Sequence, residues 1–174
     1  MKKIIFVVIG LIIFIFIGYI EIIKDYEKIP NKNIVGDEKT AEEYVKSHGY
    51  EITKYKGEID KYTLEKGMLY GRTENIPYQQ SWGVQKVEPE KYFGKQITIF
   101  GFTVKNHPLE KTHKDSNGSN LYIMISEGNI IGGYSYPNDQ SVGAYYSIDG
   151  KTLEEVNGLS YKQWCEDWKK KYGN

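Results

Sequence analysis

Gln96-Ile97-Thr98-Ile99-Phe100-Gly101-Phe102-Thr103-Val104 is the stretch on which the fold turns. Side chains of a strand alternate between two faces. Here Ile97 and Ile99 fall on one face, and Phe100, Phe102 and Val104 on the other. A run that is apolar on both faces reads as a central strand of a sheet, and Gly101 inside it marks a bulge.

Further strands lie on either side. Leu121 to Ile125 and Ile130 to Tyr136 are joined by Glu127-Gly128-Asn129, which predicts a hairpin that Pro137 closes. Ala144 to Ile148 predicts another strand, ended by Asp149-Gly150. Tyr50 to Tyr55 and Glu58 to Leu64 alternate around Lys56-Gly57 and read as a first hairpin. Ser81 to Gln85 reads as a short strand around Trp82, and Glu88 to Gly94 as one helical turn with Pro89 at its start. Residues 105–120 are polar and read as a long loop.

Helix signals sit at both ends of this set. Thr40-Ala41-Glu42-Glu43 has the spacing of a capping box, and Ala41, Tyr44, Val45 and His48 follow on one face until Gly49. Thr152-Leu153-Glu154-Glu155 and Ser160-Tyr161-Lys162-Gln163 are two more such boxes. After the last, Tyr161, Trp164, Cys165, Trp168 and Tyr172 form one apolar stripe, and Lys169, Lys170 and Lys171 sit where a helix end favours cations. The order helix, strands, helices predicts an α+β domain: a twisted antiparallel sheet with helices on one face.

Ahead of this domain, Ile4 to Ile20 is uncharged and apolar, with Lys2 and Lys3 before it. As a helix it spans roughly 25 Å, the short end of what crosses a bilayer core. No Ala-x-Ala site follows it, so an uncleaved single transmembrane helix is expected over 1–23 rather than a signal peptide. Residues 24–39 are polar and predict a stalk, leaving 40–174 as the domain. The short basic tail argues for the domain lying outside the cell membrane, although a strict Lys/Arg count on the two flanks is a tie.

Charge and composition exclude several classes. The formal net charge is 0 and Arg72 is the one arginine, so there is no basic field for nucleic acid. The single cysteine, Cys165, rules out an intrachain disulfide framework. Sixteen Tyr and three Trp leave aromatic rings to fill a core or to line a recognition surface.

Each candidate for chemistry has a plainer alternative. His107 and His113 with Asp115 are possible zinc donors, but no cysteine joins them and the spacing matches no closed site; a solvated loop and no metal is the expectation. Asp115-x-Asn117-x-Ser119 begins like a calcium loop and fails at its sixth and twelfth positions, Asn120 and Ser126. Cys165 with His48 as base is opposed by Glu166 and Asp167, the reverse of the setting a thiolate nucleophile wants; a buried structural cysteine and a packed histidine are expected. Ile131-Gly132-Gly133-Tyr134 is no phosphate cradle; its glycines suit a bulge or the close approach of another backbone. Tyr78, Trp82, Tyr134 and Tyr136, with Tyr145 and Tyr146, are candidates for an aromatic binding groove; the alternative is that they simply cover the sheet.

Trp82-Gly83-Val84-Gln85, Tyr92-Phe93-Gly94-Lys95, Val104-Lys105-Asn106-His107-Pro108, the run Ile131 to Pro137 and the run Tyr146 to Val156 together resemble a group of small uncharacterised membrane-anchored proteins of low-GC Gram-positive bacteria. The likeness extends over most of residues 40–172. It implies a bacterial exported domain and carries over no functional residue. The expectation is therefore a membrane-tethered extracytoplasmic binding or interaction module, without cofactor, facing a protein or envelope ligand. An envelope hydrolase with scattered catalytic groups and a membrane-anchored immunity or inhibitor protein are the alternatives.

Overall fold

The structure is a computed structural model and describes residues 36–139 and 143–173. The expected membrane segment and all but the end of the expected stalk lie outside these residues. Among the described residues no helix is long and apolar enough to cross a membrane.

Five antiparallel strands form one sheet in sequence order: β1 (Glu51–Thr63), β2 (Gln96–Lys105), β3 (Ser119–Ser126), β4 (Asn129–Pro137) and β5 (Tyr146–Ser147). Helix α1 (Asp37–Ser47) precedes it, α2 (Ile76–Gly83) and the single turn α3 (Leu109–Thr112) lie between strands, and α4 (Leu153–Asn157) and α5 (Tyr161–Tyr172) follow. The fold is α+β, with the central strand where the sequence places it.

Helices cover both faces of the sheet rather than the one expected. Ile97, Ile99, Tyr122 and Met124 pack with Trp82 of α2 and with Trp164, Trp168 and Tyr172 of α5. Phe100, Phe102, Val104, Leu121, Ile123 and Ile125 pack with Ala41 and Val45 of α1. The reason lies in β2 itself, which has apolar residues on both faces and so needs cover on both.

The expected hairpin around Lys56-Gly57 does not form. β1 is one long strand that pairs with β2 from Glu51↔Lys105 to Thr63↔Gln96, through three register shifts. Gly57 has φ 87°, which suits a tight turn, but here it serves a bulge. The bulges turn Ile59 onto Gly101 of β2, where an added Cβ would lie 2.6 Å from Ile59 Cγ1. The irregularity expected at Gly101 is thus carried by its partner strand. The hairpin of β3 and β4 does form, through Glu127 and Gly128, both at positive φ.

Other boundaries shift. α1 starts at Asp37, and Thr40 Oγ1 donates to Gly36 O at 3.3 Å from inside the helix, so the first capping box is not used. Asp37 and Glu38 in the first turn favour that start through the helix dipole. Ser81 to Gly83 is helical, not a strand; Pro77 opens this turn, which is too short to show a period. The loop 105–120 contains α3, and the expected strand 144–148 is reduced to β5.

The C-terminal helices form as their spacing predicts. Glu155 N–H donates to Thr152 Oγ1 at 3.2 Å and Thr152 N–H to Glu155 Oε2 at 2.8 Å. Ser160 and Gln163 repeat the exchange at α5. Trp164, Trp168 and Tyr172 are buried, Cys165 is half-buried, and Tyr161, expected on the buried stripe, is 62% exposed. Trp168 Nε1–H donates to Leu69 O at 2.8 Å, and Lys171 pairs with Glu88 and Glu90.

Candidate functional site

The register of β3 on β4 builds a tyrosine stack whose base, Tyr122 and Tyr134, is buried in the core and whose outer rings, Tyr136 and Tyr145, are half-buried. Tyr122 pairs directly with Tyr134, and Asn120 with Tyr136, so Tyr122, Tyr134 and Tyr136 project from one face at neighbouring positions. Tyr122 stacks on Tyr134 with centroids 4.9 Å apart and on Tyr136 at 5.3 Å. Tyr145, from the segment before β5, lies flat over Tyr134 at 4.6 Å and 8° and beside Tyr136 at 5.6 Å. The hydroxyls of Tyr122 and Tyr136 are 2.6 Å apart. Burial raises the pKa of Tyr122, Tyr134 and Tyr145, reinforced by the neighbouring phenols, so these hydroxyls stay neutral hydrogen-bonding groups.

Tyr145 and Tyr146 form a ridge between two clefts. One, about 250 Å³, is lined by Tyr136, His113, Pro137 and the 143–146 segment. The other, about 440 Å³, lies between the ridge, α2 and the C-terminal helices. Its walls include Ile76, Gln79 and Gln80 of α2, Leu153 and Glu154 of α4, and Tyr161 and Trp164 of α5. Ile76 and Tyr161, 46% and 62% exposed, are two large apolar side chains that the fold leaves in water, and both line this cleft.

Of the residues the sequence nominates, Tyr134, Tyr136, Tyr145 and Tyr146 are brought together. Tyr78 packs instead on Tyr62, edge-on at 4.8 Å. Trp82 is 1% exposed and belongs to the core, with its Nε1–H donating to Tyr62 Oη at 3.0 Å. Tyr122, Ile76 and Tyr161 join the site without being groove candidates in the sequence. For Tyr122 a signal was present, since it faces Tyr134 across the predicted hairpin.

The other candidates separate. His107 is not solvated: it is 2% exposed, with Nε2 donating to Ile148 O at 3.1 Å and Nδ1 accepting from Leu109 N–H at 3.2 Å. Both neighbours dictate their roles, since a carbonyl only accepts and an amide N–H only donates. The ring is therefore the neutral tautomer, and burial lowers its pKa against the opposing pull of Ile148 O, Glu110 and Asp149. His113 sits in the smaller cleft, edge-on to Tyr146 at 6.0 Å. Among the described residues no three His, Cys, Asp or Glu side chains converge as a metal site would require. Asn117 instead closes the end of the β3–β4 ladder, its amide N–H donating to Asn138 O at 3.1 Å. His48 is exposed at the end of α1, where Nδ1 lies 2.9 Å from Tyr44 O, and α1 covers the face opposite Cys165.

No protein-family model matches the chain, and no curated protein or solved structure matches it either. The site's own geometry is therefore the ground for a functional reading.

Proposed function

We propose that the protein is a binding module held at the cell membrane by residues 4–20, with residues 36–174 on the outer face, and that its ligand, a protein or envelope component, lies against the Tyr145–Tyr146 ridge. The observation that carries this is the larger cleft. It combines exposed apolar and aromatic surface (Ile76, Tyr145, Tyr161) with neutral amides (Gln79, Gln80). Apolar walls with a few polar groups suit recognition of a ligand by shape, stacking and hydrogen bonds. General acid–base hydrolysis wants two titratable groups about one bond. Glu154 is the one carboxylate among the described residues lining this cleft, which favours binding over hydrolysis.

The test uses the full-length protein in lipid nanodiscs, titrated with soluble glycan and peptide fragments of a Gram-positive envelope. Binding that falls about tenfold or more in the Tyr145→Ala/Tyr161→Ala variant, still folded at the titration temperature by its unfolding curve, supports the reading. Binding indifferent to both substitutions places the ligand elsewhere and overturns it.

A further inference from the structure

Lys56 comes from the bulged middle of β1 and lies over the tyrosine surface, its Nζ 5.2 Å from the centroid of Tyr122. Two of its three donors are used: Nζ donates to Asn120 Oδ1 at 2.5 Å and to Tyr122 Oη at 3.3 Å. Both acceptors are neutral. No carboxylate among the described residues pairs with this half-buried cation, and the neighbouring charge acting on it, Lys54, has its own sign. Burial followed by that repulsion lowers the Lys56 pKa. A cation desolvated without a counter-ion is costly and gains most from an incoming negative group.

The hydrogen bonds around Lys56 have a direction. Asn120 Oδ1 also lies 3.4 Å from the Thr103 hydroxyl, which donates to it, and Asn120 Nδ2 donates to Asn138 Oδ1 at 3.3 Å, so the asparagine has little left to accept with. Tyr122 Oη accepts from Lys56 and shares a further hydrogen bond with Tyr136 Oη at 2.6 Å, in which either phenol can donate, so one O–H of the pair stays free. Tyr136 is the phenol of the pair that lines the smaller cleft, where its O–H is available to a ligand when Tyr122 donates to it. The third Lys56 N–H and one O–H of the Tyr122–Tyr136 pair find no acceptor among the described residues. The chain thus ends in surplus donors around a positive charge, next to the stacked ring of Tyr145.

We infer that Lys56, Asn120, Tyr122 and Tyr136 form the oxyanion-recognising end of the tyrosine surface, and that its ligand is a sugar carrying a carboxylate or a phosphate. The oxyanion accepts from Lys56 and Tyr136, and the sugar ring lies against Tyr145. This rests on the binding reading above through the shared Tyr145–Tyr146 ridge, and adds the charge of the ligand and its place on the smaller-cleft side.

The experiment titrates the full-length protein in nanodiscs with glucose, glucuronate and glucose 6-phosphate, followed by NMR. The two charged sugars are expected to bind at least about tenfold more tightly than glucose, as one charge-assisted hydrogen bond provides, and whichever of them binds better distinguishes carboxylate from phosphate. Lys56→Met is expected to remove that preference, bringing the charged sugars down to the affinity of glucose, and Lys56→Arg to retain it. Lys56→Gln serves the same purpose if the Met variant misfolds. Tyr145→Ala separates the two readings, since it weakens all three sugars alike if the ridge holds the ring. Equal affinity for charged and neutral sugars, no binding of any, or a charge preference that survives loss of Lys56 overturns the inference. Equal affinities that still fall in Tyr145→Ala overturn the charge alone and leave the cleft standing.

Discussion

Gln85 and Gly133 are joined through both of their amide groups. Gly133 N–H donates to Gln85 Oε1 at 2.9 Å, and Gln85 Nε2 donates back to Gly133 O at 3.0 Å and also to Ser81 O. The glutamine side chain thereby stands beside β4 as a strand's peptide would, and ties the end of α2 to the sheet. It also explains the first of the paired glycines. Gly132 has φ 152°, and a Cβ built there would lie 2.0 Å from Gln85 Oε1. At Gly132 the close approach is made by this side-chain amide; at Gly133 it is made by a neighbouring backbone, as expected, with Tyr122 O 2.5 Å from a built Cβ, and the β3–β4 register shifts beside Gly132 as a bulge does.

Gln85→Ala is therefore expected to leave a buried N–H and C=O of Gly133 without partners, at a cost of about 1–3 kcal/mol. Gly132→Ala is expected to destabilise by a similar order through the clash with Gln85 and the backbone strain. Because both act through one contact, the double variant should be less destabilised than the two effects added, as denaturant unfolding of the four proteins would show. Strict additivity would mean that the two residues do not meet.

Stability should fall with pH on the acid side because of His107. Its folded pKa is lowered by burial, so between the ordinary histidine value, about 6.5, and the lower folded value the unfolded chain holds more protons. The His107 contribution is full above the ordinary value and is lost as pH falls through the folded one. A proton on Nδ1 would also set two N–H groups, its own and that of Leu109, against each other. In His107→Gln this part of the slope should vanish, as unfolding measured between pH 7 and 5 would reveal; an unchanged slope would assign it to other groups.

Trp168 and Tyr161 lie on one predicted stripe but should behave differently. Trp168→Ala removes a buried indole, and should cost about 3–5 kcal/mol; it also frees Leu69 O. Tyr161→Ala, at an exposed position, should change stability by less than about 0.5 kcal/mol while weakening ligand binding in the cleft. Similar unfolding midpoints for the two variants would contradict this division of the stripe.

Protease added to intact protoplasts is expected to remove the domain and leave a short membrane-bound stub, given the basic tail and the uncharged run Ile4 to Ile20. Complete protection would place the domain on the inner side. A processed soluble form in the medium would show that the segment is cleaved.

Local rules made much of the fold readable. β2, the Glu127-Gly128 turn, the stop at Gly49 and the two C-terminal capping boxes each depend on residues within a few positions of one another, where steric limits on φ and short-range hydrogen bonds decide the outcome. The reading failed where a local signal had two uses. Lys56-Gly57 suits a turn or a bulge equally well, and only the pairing of both halves of β1 with β2 selects the bulge. Trp82 looked like a groove residue because its burial depends on Tyr62 and on α5, distant in sequence.

The candidate site was legible only in part, for the same reason. Tyr134 and Tyr136 announce an aromatic surface on one strand. Yet it is the β3–β4 register that sets Tyr122 beside them, the segment before β5 that lays Tyr145 on top, and the bulge in β1 that delivers Lys56. The sequence by itself determined which segments become the central strands and capped helices, and it alone carries the expectation of a membrane anchor. Tertiary structure decided which aromatic rings are core and which meet solvent, and it brought to the tyrosine hydroxyls a cation that no carboxylate among the described residues pairs with. Burial and counter-charge are properties of groups that converge from distant parts of the chain, and no local pattern encodes that convergence.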